Sequence, residues 1–176
     1  MNNFQKNIYS IHIQKNFKLV DKVYQNDIGF DVKCIKEPDV IGDKFIGEDV
    51  YLSIDYIEYD TGIRIDPTQK NKEKIFCLLF PRSSISNKTS LVLANSIGLV
   101  DPDYRESIKF RFRYLYQPSD LININDKIAL KLNRKKIYSI GDKIGQIVFC
   151  KNIDVDLKYV DELSQSIRSG FGSTGD

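Results

Sequence analysis

Pro81-Arg82-Ser83-Ser84 follows directly on the apolar run Ile75-Phe76-Cys77-Leu78-Leu79-Phe80. A guanidinium fork and two hydroxyls at the end of a buried strand are what binding of a phosphate-like anion requires. A helix starting after Arg82 would add the positive end of its dipole. The same four residues also suit an ordinary helix start with a surface arginine, so alone they do not decide. Lys143 with Gln146, and Gly170-Phe171-Gly172-Ser173-Thr174-Gly175, are two further candidate cradles. Hydrolysis of a phosphate ester or anhydride also needs a carboxylate to hold and deprotonate a water. Asp101 and Asp103, in Gly98-Leu99-Val100-Asp101-Pro102-Asp103-Tyr104, and Asp31, in Asp27-Ile28-Gly29-Phe30-Asp31, are acids beside turns. Each is also readable as a plain turn residue.

Strands must position these groups. Residues 8–13 and 50–57 alternate polar and apolar side chains, and residues 108–116 do so more strictly, with Lys109, Arg111 and Arg113 between Phe110, Phe112 and Tyr114. A period of two in β-branched and aromatic residues predicts strands with one buried and one wet face. Turn signals recur between them, among them Asp27-Ile28-Gly29, Ile41-Gly42-Asp43, Asp60-Thr61-Gly62, Asp101-Pro102-Asp103 and Ile140-Gly141-Asp142. The pattern predicts an all-β antiparallel fold, a jelly roll or barrel. A short helical turn at 159–167 is the only helix the terminal region offers. From Ser164 the chain turns to small residues that ordinarily mark a loose end. Phe171 between two glycines does not fit that reading.

Composition sets the outer limits. The chain has 176 residues with 41% hydrophobic and 28% charged residues, a globular balance in the size range of one domain. Its 26 Lys and Arg against 24 Asp and Glu give a net charge of +2, far from the basic footprint of a protein that grips nucleic acid polymers. No apolar run approaches the ~20 residues of a membrane span, and the N-terminus lacks a signal-peptide core, so an intracellular location, cytoplasmic or nuclear, is expected. Cys34, Cys77 and Cys150 form no CxxC pair and His12 is the single histidine, which leaves zinc without ligands.

Taken in order, the segments resemble the five motifs of the trimeric deoxyuridine triphosphatase (dUTPase) family. They are Asp27-Ile28-Gly29-Phe30-Asp31-Val32; Pro81-Arg82-Ser83-Ser84; Ala94-Asn95-Ser96-Ile97-Gly98-Leu99-Val100-Asp101-Pro102-Asp103-Tyr104-Arg105; Gly141-Asp142-Lys143-Ile144-Gly145-Gln146-Ile147-Val148; and Gly170-Phe171-Gly172-Ser173-Thr174-Gly175. The resemblance spans residues 27–175 and implies a jelly-roll domain at 1–163 with a flexible C-terminal arm at 164–176. It also implies a homotrimer whose active sites are shared between subunits. The implied reaction is dUTP + H2O → dUMP + pyrophosphate, with dUTP and further copies of the chain as partners and neither nucleic acid polymer nor membrane.

Roles carry over by motif. Asp101 would be the general base, and Arg82, Ser83, Ser84 and Gln146 would hold the phosphates. Asn95, Gly98, Val100 and Tyr104 would enclose uracil and deoxyribose. Arg168, Phe171, Gly172, Ser173 and Thr174 would close over the nucleotide from the arm. Mg2+ would be the cofactor, held by Asp31 through water. The chain departs from the family pattern at Ser166, where the fifth motif has arginine, at Ile167 and Ser169, where it has glycines, and at Glu106, where glycine follows Tyr-Arg. Lys143 stands for a frequent arginine, keeping charge but losing the fork. Stretches 54–74 and 121–133 read as additions, and residues 80–86 and 93–98 resemble apicomplexan and large-DNA-virus members. Two alternatives stand beside hydrolysis: a dUTPase-like binding or regulatory protein with weak activity, and dCTP deaminase, whose strand glutamate has Arg111 near its place here.

Overall fold

Alternating side chains drive the described residues into a series of antiparallel strands. The computed structural model describes residues 12–13, 26–66, 75–162 and 164. In chain order the strands are β1 (His12–Ile13), β2 (Phe30–Lys33), β3 (Asp39–Ile46), β4 (Val50–Asp60), β5 (Ile65–Asp66) and β6 (Ile75–Pro81). There follow β7 (Leu91–Leu93), β8 (Gly98–Val100), β9 (Lys109–Tyr114), β10 (Leu121–Ile124), β11 (Lys127–Lys131) and β12 (Lys143–Lys151). The one α-helix among the described residues, α1 (Ile85–Lys88), is a single turn. β9 shows the rule most clearly: Lys109, Arg111 and Arg113 face solvent while Phe110, Phe112 and Tyr114 are buried.

Two sheets result. A four-stranded sheet runs β2-β12-β6-β8, and a six-stranded one runs β10-β11-β4-β9-β7 with β3 paired to β4. β1 and β5 form a separate pair. This is the all-β jelly roll expected from the sequence. β4 organises the larger sheet: β3 follows one edge, while β11 at its start and β9 at its end share the other. Residues 54–60 of the 54–74 stretch therefore lie in that strand, with Ile57 and Tyr59 fully buried. The 121–133 stretch supplies β10 and β11.

Val32, Cys77, Ile144 and Ile147 from the smaller sheet meet Ile57, Tyr59, Phe110 and Phe112 from the larger in one core. Tyr59 meets the Phe112 ring edge-on at 5.6 Å, and Phe110 stacks on Phe112 at 6.2 Å. Burying ~150–250 Å² per aromatic ring, at ~25 cal/mol/Å², contributes about 4–6 kcal/mol each before entropy is charged. The sheets approach closely at Gly145, where a Cβ would stand 2.3 Å from the Phe110 ring. Glycine is required there by space. No helix forms over residues 159–162 or at 164, the described part of the 159–167 segment. The exposed stretch leading into it carries apolar Ile153, Val155, Leu157 and Tyr159 at every second position, a strand period rather than a helical one.

Candidate active site

The longest motif folds as a hairpin-shaped turn whose two strands pair with different sheets. β7 and β8 flank a tight turn in which Ser96 N–H donates to Leu93 O at 3.2 Å and Ser96 takes a φ of 60°. β7 is anchored on β9, and Ala94 N–H extends that pairing to Arg111 O at 2.9 Å. β8 pairs with β6 instead, placing Gly98 opposite Leu79, so the hairpin spans both sheets. A Cβ on Gly98 would meet the Leu79 side chain at 2.9 Å, and this contact seats the hairpin.

Between hairpin and sheet lies a cleft of about 500 Å³. Asn95, Gly98, Val100, Asp101 and Tyr104 all line it. Asp101 O accepts from Tyr104 N–H at 3.1 Å, closing the turn that holds both side chains at the rim. The Tyr104 hydroxyl donates to Ser107 O at 3.1 Å. The exposed Asp101 carboxylate makes no ion pair or hydrogen bond among the described residues. The opposite wall carries Lys109, Arg111 and Arg113, with the Arg111 guanidinium 4.7 Å over the Tyr56 ring. The sequence assigned none of these cations to the site, though their period of two already placed them on one face. Arg111, near the place of the deaminase glutamate, donates to Glu58 Oε2 at 2.7 Å, and Lys109 donates to Glu58 Oε1 at 2.6 Å. Glu106 pairs with Arg64 at 3.4 Å.

The first, second and fourth motifs meet at a different cleft, of about 720 Å³. Strand register sets Asp31 of β2 directly opposite Gln146 of β12. Gln146 Nε2 donates to Asp31 Oδ1 at 3.1 Å, Lys143 Nζ donates to Oδ2 at 2.6 Å, and Arg82 Nε lies 3.8 Å from Oδ1. Burial pulls the Asp31 pKa up. The hydrogen bonds from Lys143 and Gln146 and the charges of Lys143 and Arg82 outweigh it and hold the carboxyl below its ordinary value. Ser83 and Ser84 follow at the start of α1, and Ser84 makes no side-chain capping bond. Neither serine lines either cleft, and the two clefts share no residue. Arg168, Phe171, Gly172, Ser173 and Thr174 lie outside the described residues.

Among the described residues no group of three or more His, Cys, Asp and Glu side chains could hold a metal. Asp31 offers one carboxylate, with both oxygens already accepting protein donors. That donor set does not fit direct ligation. It fits Mg2+ that arrives on phosphate oxygens and keeps its waters.

No family model matches the chain. A deoxyuridine 5'-triphosphate nucleotidohydrolase of Wigglesworthia glossinidia brevipalpis is 31% identical over 118 residues, 65% of each chain. One from Legionella pneumophila (strain Paris) is 30% identical over 104 residues, 58% of each. The chain thus spans less than two thirds of the length of these relatives. Among solved structures, Staphylococcus bacteriophage 80alpha dUTPase with dUPNHPP superposes with a TM-score of 0.62 at 21% identity, covering 95% of this chain and 99% of that one. A dUTPase from phage phi11 of S. aureus, described with a structural Mg(II) ion, gives 0.58 at 19% identity over 89% and 99%. The structural likeness shows the fold, a dUTPase-type jelly roll. In sequence the chain is similar to dUTPases over part of their length.

Proposed function

We propose that the protein hydrolyses dUTP to dUMP and pyrophosphate. The observation that carries the reading is Asp101 at the rim of the hairpin cleft, unpaired among the described residues and beside main chain able to pair with a base edge. Asp101 holds and deprotonates the water that attacks the α-phosphorus, and the pyrophosphate leaves with the bridging oxygen. Asn95 and the main chain at Gly98 and Val100 pair with uracil; a thymine methyl meets the hairpin wall. Tyr104 packs on deoxyribose and excludes a 2′-hydroxyl. A site with fixed donors rejects a mismatched edge strongly.

Arg82, Ser83, Ser84 and Gln146 bind the phosphate chain, with Lys143 adding charge. Asp31 would hold Mg2+ through water, and the ion would supply neutralisation of the triphosphate charge. Arg168, Phe171, Gly172, Ser173 and Thr174 close over the nucleotide.

The separation of the two clefts supports a site completed between copies of the chain. The hairpin has the base and nucleoside pocket, the strand cleft has the phosphate ligands, and neither suffices alone. The exposed apolar alternation of Ile153, Val155, Leu157 and Tyr159 supports a homotrimer, because another copy would cover it. Among the described residues no helix is long and apolar enough to cross a membrane.

The test is pyrophosphate release with Mg2+ from dUTP, dCTP, dTTP and UTP in parallel. Turnover of dUTP alone is expected. Binding of dUTP without turnover would instead favour the regulatory reading, and ammonia release from dCTP the deaminase.

A further inference from the structure

The residues that follow Tyr104 are tied, one after another, to the stretch 60–66. Arg105 Nη2 lies 3.1 Å from Asp66 Oδ1, and Glu106 Oε2 lies 3.4 Å from Arg64 Nη2. Ser107 Oγ donates to Asp60 Oδ1, and Ile108 N–H donates to Ile63 O at 2.9 Å. The stretch is itself braced. Gly62 N–H donates to the same Asp60 oxygen at 2.9 Å, and the buried Thr61 hydroxyl donates to Ile108 O at 2.7 Å. Asp60, Arg64, Asp66 and Ser107 lie outside all five motif segments, and Glu106 stands where the resembled pattern has glycine.

These ties are unequal. The Arg64 and Glu106 side chains are 51% and 73% exposed, and an exposed ion pair contributes little. The Asp60 side chain is 26% exposed, and its carboxylate takes hydrogen bonds from both Ser107 and Gly62. A hydrogen bond to an ionised acceptor is about twice as strong as a neutral one. Ser107 carries the anchoring onward, because its carbonyl accepts from the Tyr104 hydroxyl at 3.1 Å. Asp60 lines neither of the two clefts, yet two hydrogen bonds connect it to the rim of the hairpin cleft.

We propose that Asp60 and Ser107 are positioning residues for sugar selectivity, holding the Tyr104 ring in the space a 2′-hydroxyl would need. The proposal rests on the reading that sets Tyr104 against deoxyribose. A ring fixed from behind excludes the ribonucleotide by shape, whereas a ring left free to tilt makes room for it. The stretch 60–66 then has a use in the site, as the brace behind its rim.

Calorimetric titration of the whole chain with the α,β-imido analogues of dUTP and UTP reads this preference without turnover. The native chain should prefer the deoxy analogue. Ser107→Ala and Asp60→Ala should each cut the preference by about threefold to tenfold, the worth of one hydrogen bond, chiefly by tightening the ribo analogue. Ser107→Thr keeps a hydroxyl and should keep the preference. Tyr104→Phe should cut it to a similar degree, and S107A/Y104F should lose no more than the larger single loss, because both changes break one chain of contacts. A general loosening would weaken both analogues together. An undiminished preference in Ser107→Ala and Asp60→Ala, or a loss in Ser107→Thr equal to that in Ser107→Ala, would overturn the proposal and leave Tyr104 in its role. Equal binding of the two analogues by the native chain would overturn the sugar role of Tyr104 and this proposal together. A preference that falls in Ser107→Ala, in a chain that turns over no dUTP, would uphold the positioning and refute hydrolysis.

Discussion

Two carboxylates of this chain stand in opposite electrostatic settings, and the difference sorts their roles. Asp101 is exposed on a turn, with no ion pair among the described residues, and so is available to a water. Asp31 is caged by Lys143, Gln146 and Arg82, and under the proposed reading it balances charge in the strand cleft. Asp101→Asn keeps the shape and removes the base. Turnover of dUTP should fall by about a hundredfold to ten-thousandfold while its binding stays within a few fold. Unchanged turnover would remove Asp101 from the role.

Asp31 predicts a pH effect. Its folded pKa lies below the unfolded one, so its stabilising contribution is complete above the unfolded value and disappears as pH falls through the folded one. Glu58 and Asp60 are shifted the same way: burial pulls each up and hydrogen bonds outweigh it, from Lys109 and Arg111 to Glu58 and from Ser107 and Gly62 to Asp60. Thermal melts should be level near neutrality and drop below about pH 4. The gap between native protein and Asp31→Asn should close over that acid range; a gap that widens there would contradict the caged carboxylate.

At the scale of elements, the contact between β12 and β9 links stability to the site. Gly145 lies against the Phe110 ring, and the next residue on the same strand is Gln146. Gly145→Ala should cost about 1–3 kcal/mol by overpacking and displace Gln146 from Asp31. Chemical denaturation measures the first effect and the KM for dUTP the second. A stable variant with native KM would show that the sheets have slack.

Elements were legible where one residue type repeated on one face. β9 is the clear case, because aromatic and basic residues alternate along it without interruption. β4 was legible over residues 50–57 but not over its last three. Its register on β3 slips between Ile41 and Gly42 and again beyond Asp43, so burial along it does not alternate cleanly. The motifs named the site residues but not their division between two clefts, since that depends on β8 joining the smaller sheet while β7 joins the larger. Asp60, Arg64 and Asp66 meet residues 105–107 from far along the chain and left no local signal.

For the whole molecule, the proposed reading makes self-association part of the chemistry, supported by the two clefts and the uncovered apolar alternation after β12. Truncation after Arg168 keeps residues 152–162 and removes the fifth motif. Sedimentation should still report the trimer, with turnover reduced by about tenfold or more for want of a closing arm. A monomer would place the assembly contacts in the removed tail, and full activity would deny the arm a role.

Complementation tests the divided site most directly. Asp101→Asn disables the hairpin cleft and Arg82→Ala the strand cleft, and each variant alone should be nearly inactive. After the two are unfolded together and refolded as a 1:1 mixture, a hairpin from one copy meets the strand cleft of another. About a quarter of sites then combine two intact halves, and turnover should return to about a quarter of native. A mixture as inactive as its parents would contradict a site shared between chains.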